Sequence, residues 1–271
     1  MSNVLIKKNR VNLNLLFLCS FLGCAFSCVF LTSCGTPRVD KKEVSKRERA
    51  RLLTEVANGA LLEGDPVGAL QNLALAEAQD PSLPELYHTR ALAFYVKHDL
   101  RNALLNAQKS VVLKPDYIEA NNTLGKILVD LGRYREAVGP LQMAAYSPIN
   151  REAYKAFTNL GILKDKQGET LQAESYYDRA IQESPALACQ AYYLRGTIKV
   201  RDSRVREAIS DYDRSTKNLC AYFTEGRLAL GMAYEKNKQF QLARKAFLEI
   251  QKLYPHTQFA DRALERLKSL P

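Results

Sequence analysis

Apolar and polar positions divide this chain into three stretches of different character. Residues 13 to 31 are almost wholly apolar. Residues 35 to 49, "GTPRVDKKEVSKRER", carry many charges and no apolar period. From residue 50 onward, apolar and small residues return in a pattern that repeats. Six segments end at regular intervals, at Pro81, Pro115, Pro148, Pro185, Cys220 and Pro255. Each holds one small residue at the corresponding place: Ala69, Ala103, Ala137, Ala173, Ala208 and Ala243, separated by 34, 34, 36, 35 and 35 residues. A bulky apolar residue follows four positions later as Leu73, Leu141, Tyr177, Tyr212 and Phe247, with Ala107 the exception. Four positions is about one helical turn, so the small and the bulky residue share a face. Pro then ends the helix, because it lacks an N–H and its ring clashes with the preceding turn.

A second set of positions lies upstream in each unit. A large residue precedes a small one at Leu124-Gly125, Leu160-Gly161, Arg195-Gly196 and Leu230-Gly231, and as Arg90-Ala91 in the second unit. Gly or Ala is required there because two helices approach closely. Period and positions together resemble the tetratricopeptide repeat, a pair of antiparallel helices about 34 residues long. The resemblance implies an all-α fold: a right-handed superhelical solenoid of six tetratricopeptide repeats over residues 50–258. The last stretch, "FADRALERLKSL", reads as a capping helix within residues 259–271, with Phe259, Ala260, Ala263, Leu264 and Leu267 inward. The third-to-fourth junction, "AAYSPINREAYKAFTNLG", is two residues longer than the other junctions.

The N-terminal stretch has its own logic. Lys7, Lys8 and Arg10 precede the apolar run without an acid, as in a secretory signal. The run ends at Leu31, Thr32, Ser33 and Cys34. This resembles the lipobox of bacterial lipoproteins: a branched aliphatic residue, two small ones, and the Cys that receives the lipid. The resemblance implies a signal peptide over residues 1–33, lipidation at Cys34, and a flexible charged tether through residue 49. Cys24 and Cys28 fit worse, because bulky Leu22 and Phe26 stand before them. The alternative is an uncleaved membrane-spanning helix, for which the apolar run is long enough.

Composition changes the picture in two places. The chain lacks Trp and has 14 Tyr; it is rich in Ala and Leu, which favours helices. Removing the leader removes 3 of 39 bases and none of 29 acids, leaving a net charge of +7. That charge is uneven. Residues 50–83 hold one base and five acids, whereas residues 189–271 hold sixteen bases and nine acids. A solvated face or an acidic partner for the C-terminal half explains this equally well. Of the six Cys, Cys189 and Cys220 remain once the leader has gone and Cys34 carries lipid. Cys189 opens the first helix of the fifth repeat and Cys220 lies just past its second. Antiparallel helices place both at one end of the hairpin, so they are disulfide candidates, the alternative being two buried thiols.

No catalytic set is visible. His88, His98 and His256 stand in no metal-ligand spacing, and the chain lacks a Gly-rich phosphate loop, a zinc-protease motif and a nucleophile motif. No enzyme activity, cofactor, metal or small-molecule substrate is expected, and export disfavours nucleic acid. The usual repeat geometry implies a concave groove lined by first helices: His88, Leu92, Tyr95, Asn122, Lys126, Asp130, Lys155, Thr158, Ile162, Tyr193 and Arg201. Tyr, Asn and bases together suit a protein partner. The carboxylate clamp of chaperone-binding repeats is not matched, since Gln190 and Leu194 stand where bases belong.

Lipobox, short tether and six repeats resemble the type IV pilus biogenesis and stability lipoproteins of the PilF/PilW type. "EANNTLGKIL", "REAYKAFTNLG" and the long junction carry that likeness. The family implies a pilotin at the periplasmic face of the bacterial outer membrane, helping a secretin to reach the membrane and assemble. Gly35 after Cys34 agrees with outer-membrane sorting. One departure concerns cysteine. Members often place Cys near the ends of two successive first helices, where this chain has Leu128 and Leu163. The rival reading is a repeat lipoprotein of another envelope assembly machine, for instance one inserting outer-membrane proteins.

Overall fold

The structure, a computed structural model, describes residues 45–271. The segment read as a signal, Cys34 and residues 35–44 therefore lie outside the described residues. The rest is helical. Six antiparallel pairs follow one another: α1 (Lys46–Leu62) with α2 (Pro66–Gln79), α3 (Pro84–Val96) with α4 (Leu100–Leu113), α5 (Ile118–Asp130) with α6 (Tyr134–Ala145), α7 (Ala153–Lys166) with α8 (Thr170–Glu183), α9 (Cys189–Arg201) with α10 (Val205–Arg214), and α11 (Thr224–Lys236) with α12 (Phe240–Leu253). A last helix, α13 (Gln258–Ser269), closes the array. Each helix packs most heavily on its pair partner and next on its neighbour in sequence, while first helices also touch across repeats, α1 with α3, α3 with α5 and onward to α13. That is a six-repeat tetratricopeptide solenoid with a cap.

The register expected from the recurring Ala is the observed one. Ala69, Ala103, Ala137, Ala173, Ala208 and Ala243 are all fully buried. The glycines of the first helices sit under the bulky residues of the second. A Cβ on Gly231 would lie 2.5 Å from Phe247 Cε1, and one on Gly196 would lie 2.9 Å from Tyr212 Cε1. At Gly125 and Gly161 a Cβ would overlap Leu141 and Tyr177 still more. The second repeat solves the same problem in reverse, pairing Ala91 with Ala107, both fully buried.

The turn inside each pair has its own repeating feature. Gly64, His98, Gly132, Gly168, Ser203 and Lys238 all have positive φ, at the same place in successive repeats. Glycine is the residue that adopts this conformation without cost, and three turns use it.

Three expectations need correction. Helix α1 begins at Lys46, inside the segment read as tether, because Ser45 caps it by accepting a hydrogen bond from the Glu48 N–H at 3.1 Å. Helix α10 stops at Arg214, well short of Cys220, which the sequence pattern puts just past the helix. The Ser215 hydroxyl donates to Tyr212 O and the Thr216 hydroxyl to Asp213 O, and a short 3-10 turn, Asn218–Cys220, follows. In the cap, Ala260 and Ala263 are buried as expected, but Leu264 is 43% exposed. Leu270, beyond the helix, is buried instead.

The apolar core is not uniform along the array. One group of buried residues runs from α3 to α9, a second fills α1 to α3, and two smaller ones fill α10–α11 and α11–α13. Where the core thins, arginine stands at the large position. Arg90 pairs with Glu77 at 2.8 Å. Arg195 grips Asp211 with two nitrogens, at 2.9 and 2.5 Å, and Asp178 with a third. Lys199 reaches Asp211 at 2.9 Å, and Asp211 itself is 3% exposed. Burial opposes the charge on Arg195, but the hydrogen bonds it donates to both aspartates outweigh it and hold its pKa above the ordinary value. The fifth repeat is thus joined by ions and, at its open end, by the Cys189–Cys220 disulfide, with Cα atoms 5.5 Å apart.

Candidate partner-binding groove

First helices line one face because they stack parallel and in register. Cross-repeat hydrogen bonds fix that register. His88 Nε2 lies 3.0 Å from Thr123 Oγ1, the Tyr95 hydroxyl donates to Asp130 at 2.6 Å, and Asn159 Nδ2 donates to Asn122 Oδ1 at 2.9 Å. Arg201 reaches Asp165 at 2.7 Å in the same manner. Each bond joins residues one repeat apart.

Between these helices lies a cavity of about 390 Å³, lined by α1, α3, α5, α7 and the long junction. His88, Leu92, Tyr95, Asn122, Lys126 and Lys155 contribute to its wall, together with Asn58, Asn150 and Glu152. A hollow of about 320 Å³ adjoins it, sharing Asn122, Lys126 and Lys155 and adding Tyr154, Gln190 and Phe223. A third, of about 290 Å³, lies between α9, α11 and α13 and is more apolar, with Tyr193, Leu228, Met232 and Phe259. The expected residues therefore fall into one N-terminal group and one C-terminal member, Tyr193.

Their environments differ. His88 is partly buried, its ring edge-on to Tyr117 with centroids 5.2 Å apart. Burial pushes its pKa down to about 4, so the imidazole is neutral at pH 7. The Tyr95 hydroxyl is pushed up by burial and by its bond to Asp130, while Lys126 Nζ sits 4.4 Å from its ring centroid. Lys155 is exposed and pairs with Glu152 at 2.7 Å. These groups present one aromatic face, amide edges and two ammonium groups to the cavity.

Three members of the expected set are placed differently. Thr158 is 3% exposed, and its hydroxyl donates to Tyr154 O in its own helix, so it forms wall without offering a polar group. The Tyr193 ring packs against Tyr212 and Phe223, with centroids 5.8 and 5.5 Å away. Arg201 is exposed on the edge of the array and engaged with Asp165. Several lining residues escaped the sequence reading, and periodicity would have found some of them. Asn58 stands one 34-residue step before Leu92, while Leu228 and Arg262 continue the steps from Tyr193 into the cap.

Comparison with known proteins agrees with this fold. Family models described as tetratricopeptide repeat match residues 154–187 and 193–256. No curated protein matched the sequence. Among solved structures, PilW, described as a widely conserved type IV pilus biogenesis factor, is 21% identical with a TM-score of 0.67, over 79% of this chain and 98% of that one. PilF of Pseudomonas aeruginosa is 18% identical with a TM-score of 0.64, over 82% and 99%. A tetratricopeptide repeat protein from Parabacteroides merdae is 16% identical with a TM-score of 0.63, over 81% and 84%. The chain is thus built of tetratricopeptide repeats, units that serve as protein-binding scaffolds, and it shares its fold with these pilus biogenesis factors.

Proposed function

We propose that this protein is a lipid-anchored pilotin at the periplasmic face of the outer membrane, binding a secretin and promoting its localisation and multimerisation. The observation that carries this reading is the extent of the likeness to PilW and PilF, which takes in nearly the whole of both those chains. The lipobox at Cys34 and the following Gly35 support the location. The cavity between α1 and α7 supports the mode of action, because it gathers aromatic, amide and ammonium groups on a rigid frame. It is the expected secretin contact. The scaffold works by binding, and no step of chemistry is assigned to it.

The test is genetic. Deleting the gene is expected to remove heat- and detergent-resistant secretin multimers, and with them pili and twitching motility. Cys34→Ala is expected to leave an uncleaved or mislocalised precursor and the same phenotype. Lys126→Glu, made in a partly exposed side chain, is expected to leave the melting curve unchanged and to abolish co-purification with the secretin. Intact multimers in the deletion strain would overturn the pilotin reading in favour of a scaffold for another envelope machine.

A further inference from the structure

The two edges of the array differ in chemistry. One edge carries the turns inside each pair: "LEGDP", "VKHDL", "DLGRY", "KQGET", "RDSRV" and "KNKQF" all contain charge. The other edge carries the loops between pairs. In three successive repeats these loops have uncharged stretches: "SPIN" before α7, "SPALA" before α9 and "NLCAYF" before α11. Ile149 is 78% exposed, Leu187 44%, Leu219 67% and Tyr222 87%. Loops at a protein surface are ordinarily polar, and grouped exposed apolar side chains mark a contact surface.

Leu219 and Tyr222 are held out rather than loosely draped. The disulfide ties Cys220 to the start of α9. Arg227 Nη2 donates to Ala221 O at 2.9 Å, and the Phe223 ring is seated against Tyr193. Leu219 and Tyr222 thus project from a backbone fixed on both sides of Cys220.

We propose that this edge rests on a lipid surface, with Ile149, Leu187, Leu219 and Tyr222 entering its interfacial layer. The proposal rests on the lipid-anchor reading of Cys34. The chain supplies the occupant. It enters the array at Ser45, at the start of a first helix and therefore on this same edge. Ten residues separate Cys34 from Ser45. Even fully extended they reach at most about 40 Å. A lipid at Cys34 thus keeps the α1 end close to the bilayer, and apolar loops three to five repeats further along provide a second point of attachment. Tyrosine suits this place, since its ring favours the boundary between headgroups and acyl chains. Two attachments on one edge hold the first helices upright on the membrane and leave the groove open sideways to a membrane-embedded partner.

The absence of Trp makes a direct test available. Tyr222→Trp gives a single emitter on this edge, and Leu171→Trp gives one on the opposite edge, at a site 83% exposed. The full protein is purified from membranes, its mass is measured for acylation, and it is reconstituted in phosphatidylethanolamine–phosphatidylglycerol vesicles with brominated acyl chains. Emission from position 222 is expected to fall about two-fold or more, with a blue shift, while position 171 is unaffected. Acylated protein in which both emitters stay unquenched overturns the proposal and leaves the anchor standing. Protein without acyl mass at Cys34 overturns the anchor reading. Quenching at position 222 when that protein is added to vesicles would then support the surface independently, and no quenching would overturn it. Shielding of position 222 without lipid, with a doubled mass by light scattering, would make the edge an interface between copies and overturn the bilayer.

Discussion

Single residues set the spacing of the array. Gly161 sits where a Cβ would overlap the Tyr177 ring, so Gly161→Ala should destabilise although Ala is the better helix former. Gly161→Leu should cost roughly 1–3 kcal/mol or more by overpacking. Gly59, also inside a helix, has nothing within 4 Å of its Cβ position, so Gly59→Ala should stabilise by about 0.5–1 kcal/mol. Opposite shifts of the melting temperature are the expected result, and a common sign would contradict the packing described. His88 gives a pH signature. Its folded pKa of about 4 lies below the ordinary 6.5, so between those values the unfolded chain binds more protons. Its contribution is complete above about pH 6.5 and is lost as pH falls toward 4, by on the order of 3 kcal/mol. Urea midpoints for the parent and for His88→Gln, compared from pH 7 to 4, should show this extra slope in the parent alone.

At the level of elements, the sequence displayed what repeats and concealed what does not. The second-helix alanines and the crossing glycines were legible because each occupies the same environment in repeat after repeat, and Pro follows five of the six second helices. The end of α10 was not legible. It depends on hydroxyls that bond back to their own helix and on a cysteine partner 31 residues away, neither of which has a period. The groove was half legible. First-helix positions were placed by the repeat, but the fate of each polar group was decided by neighbours peculiar to one repeat, such as Phe223 beside Tyr193. Helix α10 also locates the disulfide's effect. Among the described residues it is the shortest α-helix, and beyond it the link to Cys189 is the only covalent cross-link. Closing a loop of this length stabilises by roughly 3–4 kcal/mol in the chain-entropy model. Replacing both Cys189 and Cys220 with Ser should lower stability by up to that amount. Hydrogen exchange should rise first in residues 215–223, with α3 to α6 unchanged. Equal acceleration everywhere would show that the bridge supports the whole array rather than one joint.

Across the whole molecule, stability should be graded along the array rather than shared evenly. Each repeat touches mainly its neighbours, and such arrays behave approximately as a chain of nearest-neighbour couplings. The longest continuous apolar core runs from α3 to α9. Beyond it the coupling passes through the Arg195–Asp211–Lys199 ions and two smaller apolar groups. The C-terminal group, with Ala243, Phe247 and Ile250, is covered by Ala263 of α13 and by Leu270 just beyond it. Cap and ion joint thus bracket a unit made of α10 to α12. Deleting residues 258–271 uncovers that apolar group while leaving α1 to α9 and their contacts intact. The expected result is a loss of amide protection in α11 and α12 first, extending to α10, and stopping near the ion joint. Protection in α5 to α8 should stay at the parent level. Adding salt to the truncated chain should move that boundary little, because the Asp211 carboxylate at the joint is 3% exposed and buried pairs are screened weakly. A single uniform drop in protection from α1 to α12 would mean that the ions transmit stability as well as an apolar interface does, and the graded picture would fail.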